Sequence, residues 1–190
     1  MKILHMLFHP HMETSSVNRV WNEMISQSDQ VETSKDMYAL YPSLNIDVER
    51  EQQDLVEHDR ILLQFPFYWY AGPPLLKKWI DEVLLYGFAY GSKGTHLRGK
   101  QMLVITSVGG SEEDYHPGGA QELTVDEYLQ PLRKTAHLCN MDFLRPLRMY
   151  DAAKVDKQVI RAHGEQFISK LREEVAVRKQ IRSGDDIVVN

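Results

Sequence analysis

The sequence predicts an α/β fold in which helical crossovers connect the strands of a parallel sheet. Two observations lead to this prediction. Short β-rich runs alternate with longer segments of helical periodicity along the chain. The 190 residues, 43% of them hydrophobic and 26% charged, are also enough for one sizeable core. We therefore expect a single domain at residues 1–175, followed by a C-terminal tail at 176–190 that either frays or packs against a partner subunit.

Five strands and five helices alternate in this prediction. The first strand, at residues 2–8, contains the apolar run KILHMLF, and a helix at 16–28 follows it. The next pairs are strand 32–38 with helix 49–57, strand 60–65 with helix 73–85, strand 101–107 with helix 125–139, and strand 143–150 with helix 156–175. The helix at 73–85 is well supported, because apolar residues recur along one face at Leu75, Leu76, Trp79, Ile80, Val83 and Leu84.

Composition excludes several classes of function. The 22 basic and 27 acidic residues give a net charge of −5 without a long basic block, so nucleic acid is not an expected partner. No apolar run is long enough to span a bilayer or to form a signal peptide, so we expect a cytoplasmic protein that could still dock on a membrane protein at the inner face. The single cysteine, Cys139, excludes an internal disulfide and a thiolate metal cage, and we interpret it as a buried, inert thiol.

The loop after the first strand, FHPHMETSSVN, contains two histidines and a cluster of hydroxyls but no glycine. Ligands of open parallel sheets bind beyond the carboxyl ends of the strands, where this loop lies. Ser15 and Ser16 precede a helix whose positive N-terminus suits a phosphate, and His9 could add a charge-assisted hydrogen bond. Taken alone, however, the loop favours serines that only cap the helix. A metal site at His9 and His11 is not expected, because the two point to opposite sides of an extended chain and no third ligand is evident.

The loop after the third strand, FPFYWYAGPP, is stiff and aromatic. Two prolines and a glycine restrict or shape the backbone, and four consecutive aromatics could line a flat ring: Phe67, Tyr68, Trp69 and Tyr70. The alternative is an aromatic satellite of the core, which suits one or two of these side chains. Four in succession do not fit on the inner face of one turn.

The loop after the fourth strand, TSVGGSEEDYHPGG, combines glycines with acidic residues. Gly109 and Gly110 would allow the backbone to approach a ligand closely, and their N–H groups could meet ring carbonyls or nitrogens. The alternative is a flexible surface loop. Tyr115 and His116 are the only groups in it with obvious proton chemistry.

Together these loops resemble those of the bacterial NAD(P)H quinone oxidoreductases, a family that includes ancillary proteins of glutathione-gated potassium efflux and the general stress and drug-activity modulators. The resemblance runs from residue 1 to about Tyr150, and its most specific segments are DMYALYPSLNIDVEREQ and QFPFYWYAGPPLLKKWIDEVLLYGFAYGSKGTHLRGK. It implies a flavodoxin-like three-layer sandwich whose five-stranded parallel sheet has the order 2-1-3-4-5. It also implies one flavin-binding domain with FMN, or alternatively FAD, and it favours a phosphate site over a simple cap at the first loop.

The resemblance assigns roles to individual residues. It implies that the phosphate end of the flavin is bound by His9, Ser15, Ser16, Val17 and Asn18. It implies that the isoalloxazine ring is bound by Pro66, Phe67, Tyr68, Trp69, Ser107, Val108, Gly109 and Gly110. It places Tyr115 near the ring, where a hydroxyl can stabilise developing negative charge. Mammalian relatives have a histidine six residues after this tyrosine, where this chain has Gln121. Proton delivery could then fall to Tyr115, to His116 or to water, although an exposed loop histidine is the favoured interpretation of His116.

The activity implied by the resemblance is that of an NAD(P)H dehydrogenase (quinone). NAD(P)H would bind over the flavin as co-substrate and give it a hydride, and a quinone or similar small acceptor would take two electrons at the same place, which predicts ping-pong kinetics. The alternative is an FMN-binding regulatory subunit that activates a glutathione-gated potassium-efflux transporter. A one-electron carrier is disfavoured, because HPHMETSSVN lacks the T-x-T-G-x-T type of phosphate loop.

The resemblance also implies a homodimer with the cavity at its interface. Residues 84–91, LLYGFAYG, offer Tyr86, Phe88 and Tyr90 as a patch that could face a second subunit. Packing of the same three rings within one subunit is an equal alternative.

Overall fold

The computed structural model describes residues 1–183, with side chains described to residue 176. Within this part of the chain the strands are β1 (Ile3–Leu7), β2 (Thr33–Asp36), β3 (Arg60–Pro66), β4 (Gln101–Ser107), β5 (Asp142–Phe143) and β6 (Leu147–Met149). The helices are α1 (Val17–Ser26), α2 (Met37–Leu40), α3 (Val48–Glu57), α4 (Pro74–Val83), α5 (Val125–Tyr128), α6 (Gln130–Leu138) and α7 (Lys157–Ser183). Single 3-10 turns lie at Met12–Thr14 and Glu112–Asp114.

All strand pairs are parallel, in the order β2-β1-β3-β4-β5, and β6 also pairs with β4. The predicted strand order and flavodoxin-like α/β class are therefore confirmed. The register pairs Pro66 with Ser107, and Ser107 with Met149. Because the strands are parallel, the loops that follow β1, β3, β4 and β6 emerge at one edge of the sheet.

The two faces of the sheet carry separate apolar clusters, because successive strand residues point to opposite sides. On one face, β-strand residues such as Met6 and Val104 pack in a cluster with α3, α4 and α6. On the other, residues such as Leu62 and Ile105 pack with α1 and α7. The predicted apolar face of α4 lies in the first cluster, with Ile80 at its partly buried margin. The sheet thus forms the middle of three layers.

The predicted second strand is too long at its C-terminal end. The strand stops at Asp36, whose side-chain oxygen accepts hydrogen bonds from the N–H groups of Tyr38 and Ala39, both at 3.1 Å. This N-cap starts the short helix α2 where the strand was expected to continue.

The predicted fifth strand is two short strands. Met102 of β4 pairs with Phe143 of β5, and Ile105 of β4 pairs with Leu147 of β6. Between these two pairs β4 advances by three residues, whereas the neighbouring edge segment advances by four. The intervening segment contains Pro146, which has no N–H for the ladder. One extra residue therefore interrupts this edge, as in a β-bulge.

The predicted helix at 125–139 is also divided, into α5 and α6. Pro131 lies in the first turn of α6, where a missing N–H costs nothing, but it cannot continue α5. The last helix extends from Lys157 to Ser183, beyond its expected end at residue 175. The rest of the expected tail, residues 184–190, lies outside the described residues.

Cys139 is buried, and burial raises the pKa of its thiol. In the described part of the chain, no helix is long and apolar enough to cross a membrane.

Candidate functional site

A cavity of about 380 Å³ lies at the carboxyl edge of the sheet. Its walls come from the loops after β1, β3, β4 and β6, through His9, Thr14, Ser15, Ser16, Val17, Pro66, Phe67, Tyr68, Ser107, Gly109, Ala152 and Ala153. The three loops identified from the sequence therefore meet here. Two larger grooves, of about 560 and 510 Å³, run along α7, and neither is lined by a residue of the loops after β1 and β3. The winding direction of the sheet reverses between β1 and β3. We take the smaller cavity as the site because it lies beyond the carboxyl ends of these two strands, where ligands of such sheets bind.

The N-terminus of α1 forms one end of the cavity. Ser16 occupies the N-cap position with helical angles, φ −84° and ψ −58°, and makes no side-chain capping bond. The N–H of Val20 bonds to the Ser16 carbonyl at 3.3 Å, so the three N–H groups before it have no partner within the helix. The capping interpretation of the serines does not hold for Ser16. Free N–H groups, a free hydroxyl and the positive helix end suit an anion.

His9 lies beside this helix end and is only 5% exposed. Its Nδ1 accepts the N–H of His11 at 3.1 Å, so a neutral ring carries its proton on Nε2. Burial, and then the nearby His11, lower the pKa of His9 below its usual value. In this cavity a neutral His9 ring presents its Nε2–H as a donor, which can still form the expected charge-assisted hydrogen bond to an anionic phosphate. No group of three or more His, Cys, Asp or Glu residues within 1–183 is arranged to hold a metal ion.

Asn18 does not line the cavity but lies beneath it, 1% exposed. Its Nδ2 donates to the Ser107 hydroxyl at 2.7 Å, and Ser107 does line the cavity. The Asn18 side chain therefore reaches the cavity only through Ser107.

The glycine loop after β4 is held by the segment after β6. Met149 O accepts the N–H of Val108 at 2.8 Å, and Asp151 N–H donates to Gly110 O at 2.9 Å. Val108 itself is buried and is not a wall residue, and its backbone N–H and carbonyl bond to Met149 and Ala152. The N–H groups of Gly109 and Gly110 bond to no protein atom among the described residues. They are available to carbonyls or nitrogens of a ring.

The two glycines have different steric roles. A Cβ built on Gly109 would meet no atom within 4 Å, so it would point into open space. A Cβ on Gly110 would lie 3.0 Å from Cε2 of Tyr115, so this glycine lets the tyrosine ring pack against the loop.

The aromatic loop after β3 ends in a tight turn. Tyr68 and Ala71 exchange two backbone hydrogen bonds, at 2.9 and 3.0 Å. The residues between them, Trp69 and Tyr70, have φ values of 48° and 63°. Such angles cost a non-glycine residue about 1 kcal/mol or more and are often retained at functional sites. Trp69 is 92% exposed and is not a wall residue, unlike Pro66, Phe67 and Tyr68.

Tyr115 lies in an aromatic cluster beside the cavity. Its ring centroid is 6.0 Å from that of Phe67, a wall residue, 6.2 Å from Tyr128 and 6.0 Å from Tyr150. Burial raises the pKa of Tyr115, so its hydroxyl stays protonated near neutral pH. His116 is exposed and donates from Nδ1 to the carbonyl of Pro117 at 2.8 Å. The structure does not bring His116 to the cavity.

Two tyrosines donate hydrogen bonds to Gln121, and the sequence did not predict these contacts. Tyr70 donates to its side-chain oxygen at 3.0 Å, and Tyr128 donates to its carbonyl at 2.7 Å. The rings of Tyr70 and Tyr128 stack at 4.9 Å. Gln121 thus has a defined position at the edge of the aromatic cluster.

Three wall residues were missed by sequence reasoning: Thr14, Ala152 and Ala153. The two alanines follow β6, so the signal that could have found them is the carboxyl end of the last strand. Their small side chains leave room in the cavity. Thr14 carried only a weak signal, as a hydroxyl next to the two serines.

A family model described as flavodoxin-like fold matches residues 1–171 of the chain. The chain is 49% identical over 150 residues to general stress protein 14 of Bacillus subtilis, covering 79% of this chain and 85% of the relative. It is 41% identical over 174 residues to the uncharacterized NAD(P)H oxidoreductase YrkL of the same organism, covering 92% and 99%. It is also 41% identical over 177 residues to the glutathione-regulated potassium-efflux system ancillary protein KefG of Pectobacterium atrosepticum, covering 91% and 96%.

Solved structures are similar over nearly the whole chain. General stress protein 14 of Treponema denticola, in complex with FMN, has a TM-score of 0.85 and 37% identity, covering 91% of this chain and 99% of that one. An NADPH-quinone reductase from P. pentosaceus has a TM-score of 0.77 and 27% identity, covering 88% and 98%. A protein named as a thermophilic tryptophan halogenase from Streptomycin violaceusniger has a TM-score of 0.81 and 43% identity, covering 92% and 98%. The names of these similar proteins therefore do not all give the same reaction.

Proposed function

The chain belongs to the family of flavodoxin-like fold that matches its residues 1–171, and from this premise we propose that it is a flavin-dependent NAD(P)H:quinone oxidoreductase, an NAD(P)H dehydrogenase (quinone). One observation carries the proposal. A single cavity combines the unpartnered N-terminus of α1, the aromatic side chains of the loop after β3 and the free N–H group of Gly109. The free N–H group of Gly110 follows next in the chain, although Gly110 is not a wall residue. This combination suits a ligand with an anionic end and a flat polar ring, as a flavin nucleotide has.

FMN is the proposed cofactor, with NAD(P)H as co-substrate. The solved relative from Treponema denticola is in complex with FMN, which supports FMN rather than FAD. The phosphate would lie at Ser15, Ser16 and the first N–H groups of α1, with His9 donating from Nε2. The ring would lie between Phe67 and the Gly109–Gly110 backbone.

When bound, a flavin supplies the chemistry of accepting a hydride from a nicotinamide and passing two electrons to an acceptor such as a quinone. The protein's own contribution is to bind, orient and donate. The free N–H groups of Gly109 and Gly110 can stabilise negative charge on ring oxygens or nitrogens. The Tyr115 hydroxyl, whose pKa is raised further by burial, can donate to the ring or to an acceptor oxygen. His116 stays exposed and is not needed in this account.

Initial-rate kinetics test the proposal. The protein reconstituted with FMN should reduce a benzoquinone with NADH or NADPH and give parallel double-reciprocal lines, because both substrates use one cavity in turn. Intersecting lines would contradict the shared cavity. Absence of quinone reduction with either nicotinamide, in protein that retains FMN, would contradict the enzyme.

Replacing Tyr115 by Phe tests the assigned hydroxyl. The variant should retain FMN and show a lower turnover number, roughly tenfold, since it loses one donor but keeps the ring packing. Unchanged turnover would remove Tyr115 from the rate-limiting step.

A regulatory role is the second candidate, favoured by the similarity to KefG. In this alternative the FMN-loaded protein activates a glutathione-gated potassium-efflux transporter from the cytoplasmic face. Cells that express such a transporter would show faster potassium efflux with this chain than without it. If a Tyr115→Phe variant with reduced turnover restores efflux fully, the regulatory role does not depend on the reductase activity.

We also propose that the protein is a homodimer. Within residues 84–91, Phe88 and Tyr90 pack partly against their own core, whereas Tyr86 is 69% exposed and Leu85 is 45% exposed. This leaves Tyr86 and Leu85 as the candidates for a subunit contact. Sedimentation should give a dimer for the wild type and a monomer for Tyr86→Glu; a wild-type monomer at micromolar concentration would contradict this part of the proposal.

A further inference from the structure

A line of hydrogen-bonded side chains crosses the sheet beneath the cavity. It runs from Ser34 of β2 through His5 of β1 and Gln64 of β3 to Asn18 of α1, and ends at Ser107 of β4. The distances are 2.8 Å from Ser34 Oγ to His5 Nδ1 and 2.9 Å from His5 Nε2 to Gln64 Oε1. His5, Gln64 and Asn18 are all at least 99% buried. Apart from its two ends, this line has no contact with solvent.

The direction of every bond follows from one backbone carbonyl. Gln64 Nε2 lies 2.9 Å from the carbonyl oxygen of Asn18, which can only accept. The amide orientation of Gln64 is therefore fixed, and its Oε1 accepts from His5 Nε2–H. The neutral His5 ring then has no proton on Nδ1, which accepts from the Ser34 hydroxyl. Burial lowers the pKa of His5 to about 4, in agreement with a neutral ring.

The same reasoning continues toward the cavity. Gln64 Nε2 also lies 3.2 Å from Asn18 Oδ1, which identifies that oxygen as an acceptor. Asn18 Nδ2 must therefore donate to Ser107 Oγ, at 2.7 Å. The Ser107 hydroxyl keeps its own proton, and this proton has no protein acceptor among the described residues. Because Ser107 is a wall residue, the proton is available to a ligand in the cavity.

We propose that Asn18 is a positioning residue which, held by Gln64 and His5, makes the Ser107 hydroxyl a fixed hydrogen-bond donor to an oxygen of the bound flavin. The Asn18 side chain then acts entirely through Ser107 and does not touch the cofactor. The inference rests on the proposed function only in taking the ligand to be a flavin. A serine without such a partner can rotate freely, whereas the bond from Asn18 occupies one lone pair of this hydroxyl and so favours donation of its proton to the ligand.

A double-mutant cycle on FMN affinity tests this inference, using the dissociation constant of FMN for the apoprotein. Ser107→Ala should weaken FMN binding roughly tenfold, the equivalent of about 1.4 kcal/mol. Asn18→Ala should weaken it by a smaller factor, because the hydroxyl survives but is no longer oriented. The double variant should bind no more weakly than Ser107→Ala alone.

Additive effects of Asn18→Ala and Ser107→Ala on FMN affinity would contradict the inference. If Asn18→Ala weakens binding by the same factor in the Ser107→Ala protein as in the wild type, Asn18 contacts the flavin directly and the inference is overturned. Ser16→Ala provides the matched control: it lies on the cavity wall without a bond to Asn18, so its effect should add to that of Asn18→Ala. Failure of additivity in the control pair would mean that the loss reflects general disruption, which also overturns the inference.

Folding and function are separated by two further measurements. Thermal unfolding of each apoprotein shows whether it folds, and Asn18→Leu, which fills a similar volume without a donor, replaces Asn18→Ala if the latter is unfolded. Because only FMN binding is measured, absence of quinone reductase activity would leave the inference intact. Wild-type protein that does not bind FMN would overturn both the inference and the proposed function.

Binding of riboflavin, which lacks the phosphate of FMN, shows which flavin oxygen accepts the bond from Ser107. If Ser107→Ala weakens riboflavin and FMN by the same factor, the acceptor is on the ring or the ribityl chain. If only FMN is affected, the acceptor is a phosphate oxygen. Either result supports a flavin acceptor, and an absence of effect on both ligands contradicts it.

Discussion

Burial gives His5 and His9 different roles, although they are four residues apart at the start of the chain. His5 is fully enclosed and both ring nitrogens have side-chain partners. His9 has one nitrogen bonded to the backbone, which leaves Nε2 available at the cavity wall. A histidine in an apolar strand and a histidine in the loop after it are therefore a structural residue and a candidate ligand, respectively.

His5 makes stability depend on pH. Its pKa is about 4 in the folded protein and about 6.5 in an unfolded chain. Below pH 6.5 the unfolded state takes up a proton that folded His5 does not, so stability is lost as the pH falls toward 4, by up to about 3 kcal/mol, and levels off below it. Denaturant unfolding between pH 7 and pH 4 should show a smaller loss for His5→Gln than for the wild type; parallel curves would contradict the assignment of His5 as the buried neutral ring.

Gly109 leaves space that a side chain would fill. Since its Cβ would meet no protein atom, Gly109→Leu should leave thermal stability within about 0.5 kcal/mol but weaken FMN binding at least tenfold. Gly109→Ala, with one methyl group, should weaken it less. Equal FMN affinity in wild type and Gly109→Leu would show that the ring does not approach this loop.

Which residues line the site was predictable only in part from the sequence. The serines after β1 and the glycine after β4 had to lie near strand ends, because parallel strands end at one edge. The sequence could not show that Asn18 faces inward, since that depends on how α1 rotates against β3 and β4. It also could not show that Trp69 points to solvent, because this follows from the two positive φ values of the turn.

At the scale of elements, the serines at the N-terminus of α1 could either cap the helix or bind a ligand, and the two roles affect stability differently. A capping serine stabilises its helix by about 1 kcal/mol, whereas a ligand-binding serine stabilises only the complex. Because Ser16 makes no capping bond, Ser16→Ala should leave the unfolding free energy of the apoprotein unchanged within about 0.3 kcal/mol and weaken FMN binding severalfold. A loss of about 1 kcal/mol in the apoprotein with unchanged FMN affinity would favour the cap.

A buried cluster around Glu51 joins β2, α3 and α4. The fully buried carboxylate accepts from Lys35 Nζ at 2.7 Å, Tyr41 hydroxyl at 2.8 Å and Trp79 Nε1 at 3.0 Å. Glu51→Ala leaves these three donors without that acceptor, so we expect a loss of about 3 kcal/mol or more in unfolding free energy. The control is Lys77→Ala, which removes an exposed ion pair with Asp81 and should cost about 1 kcal/mol or less. Similar losses in both variants would contradict a central role for the cluster.

Element boundaries were predicted less well than element types, and prolines explain two of the differences. Pro131 divides the helix expected at 125–139, and Pro146 divides the strand expected at 143–150, because each lacks a backbone donor. Asp36 explains a further difference, since its side chain starts α2 within the expected strand. Each signal was present in the sequence, but it competed with a longer apolar pattern.

At the scale of the whole molecule, alternation of strands and helices predicted the α/β class from the residues alone. The strand order came from the family resemblance, because local patterns do not specify which strands are neighbours. That order places the loops after β1 and β3 next to each other and next to the loop after β4. The topology thereby assembles, from distant parts of the chain, the anion end and the aromatic wall of one cavity.

Above all, we propose that this cavity holds a flavin that a nicotinamide can reduce and a quinone can reoxidise. The most direct measurement is the anaerobic absorption spectrum of the FMN-reconstituted protein after stoichiometric NADH or NADPH, and again after a benzoquinone. We expect loss of the flavin absorbance with at least one nicotinamide and its recovery with the quinone, at rates well above those of free FMN. Bound flavin that keeps its absorbance with both nicotinamides would contradict the reductase, and protein that retains neither FMN nor FAD would contradict the flavin site itself.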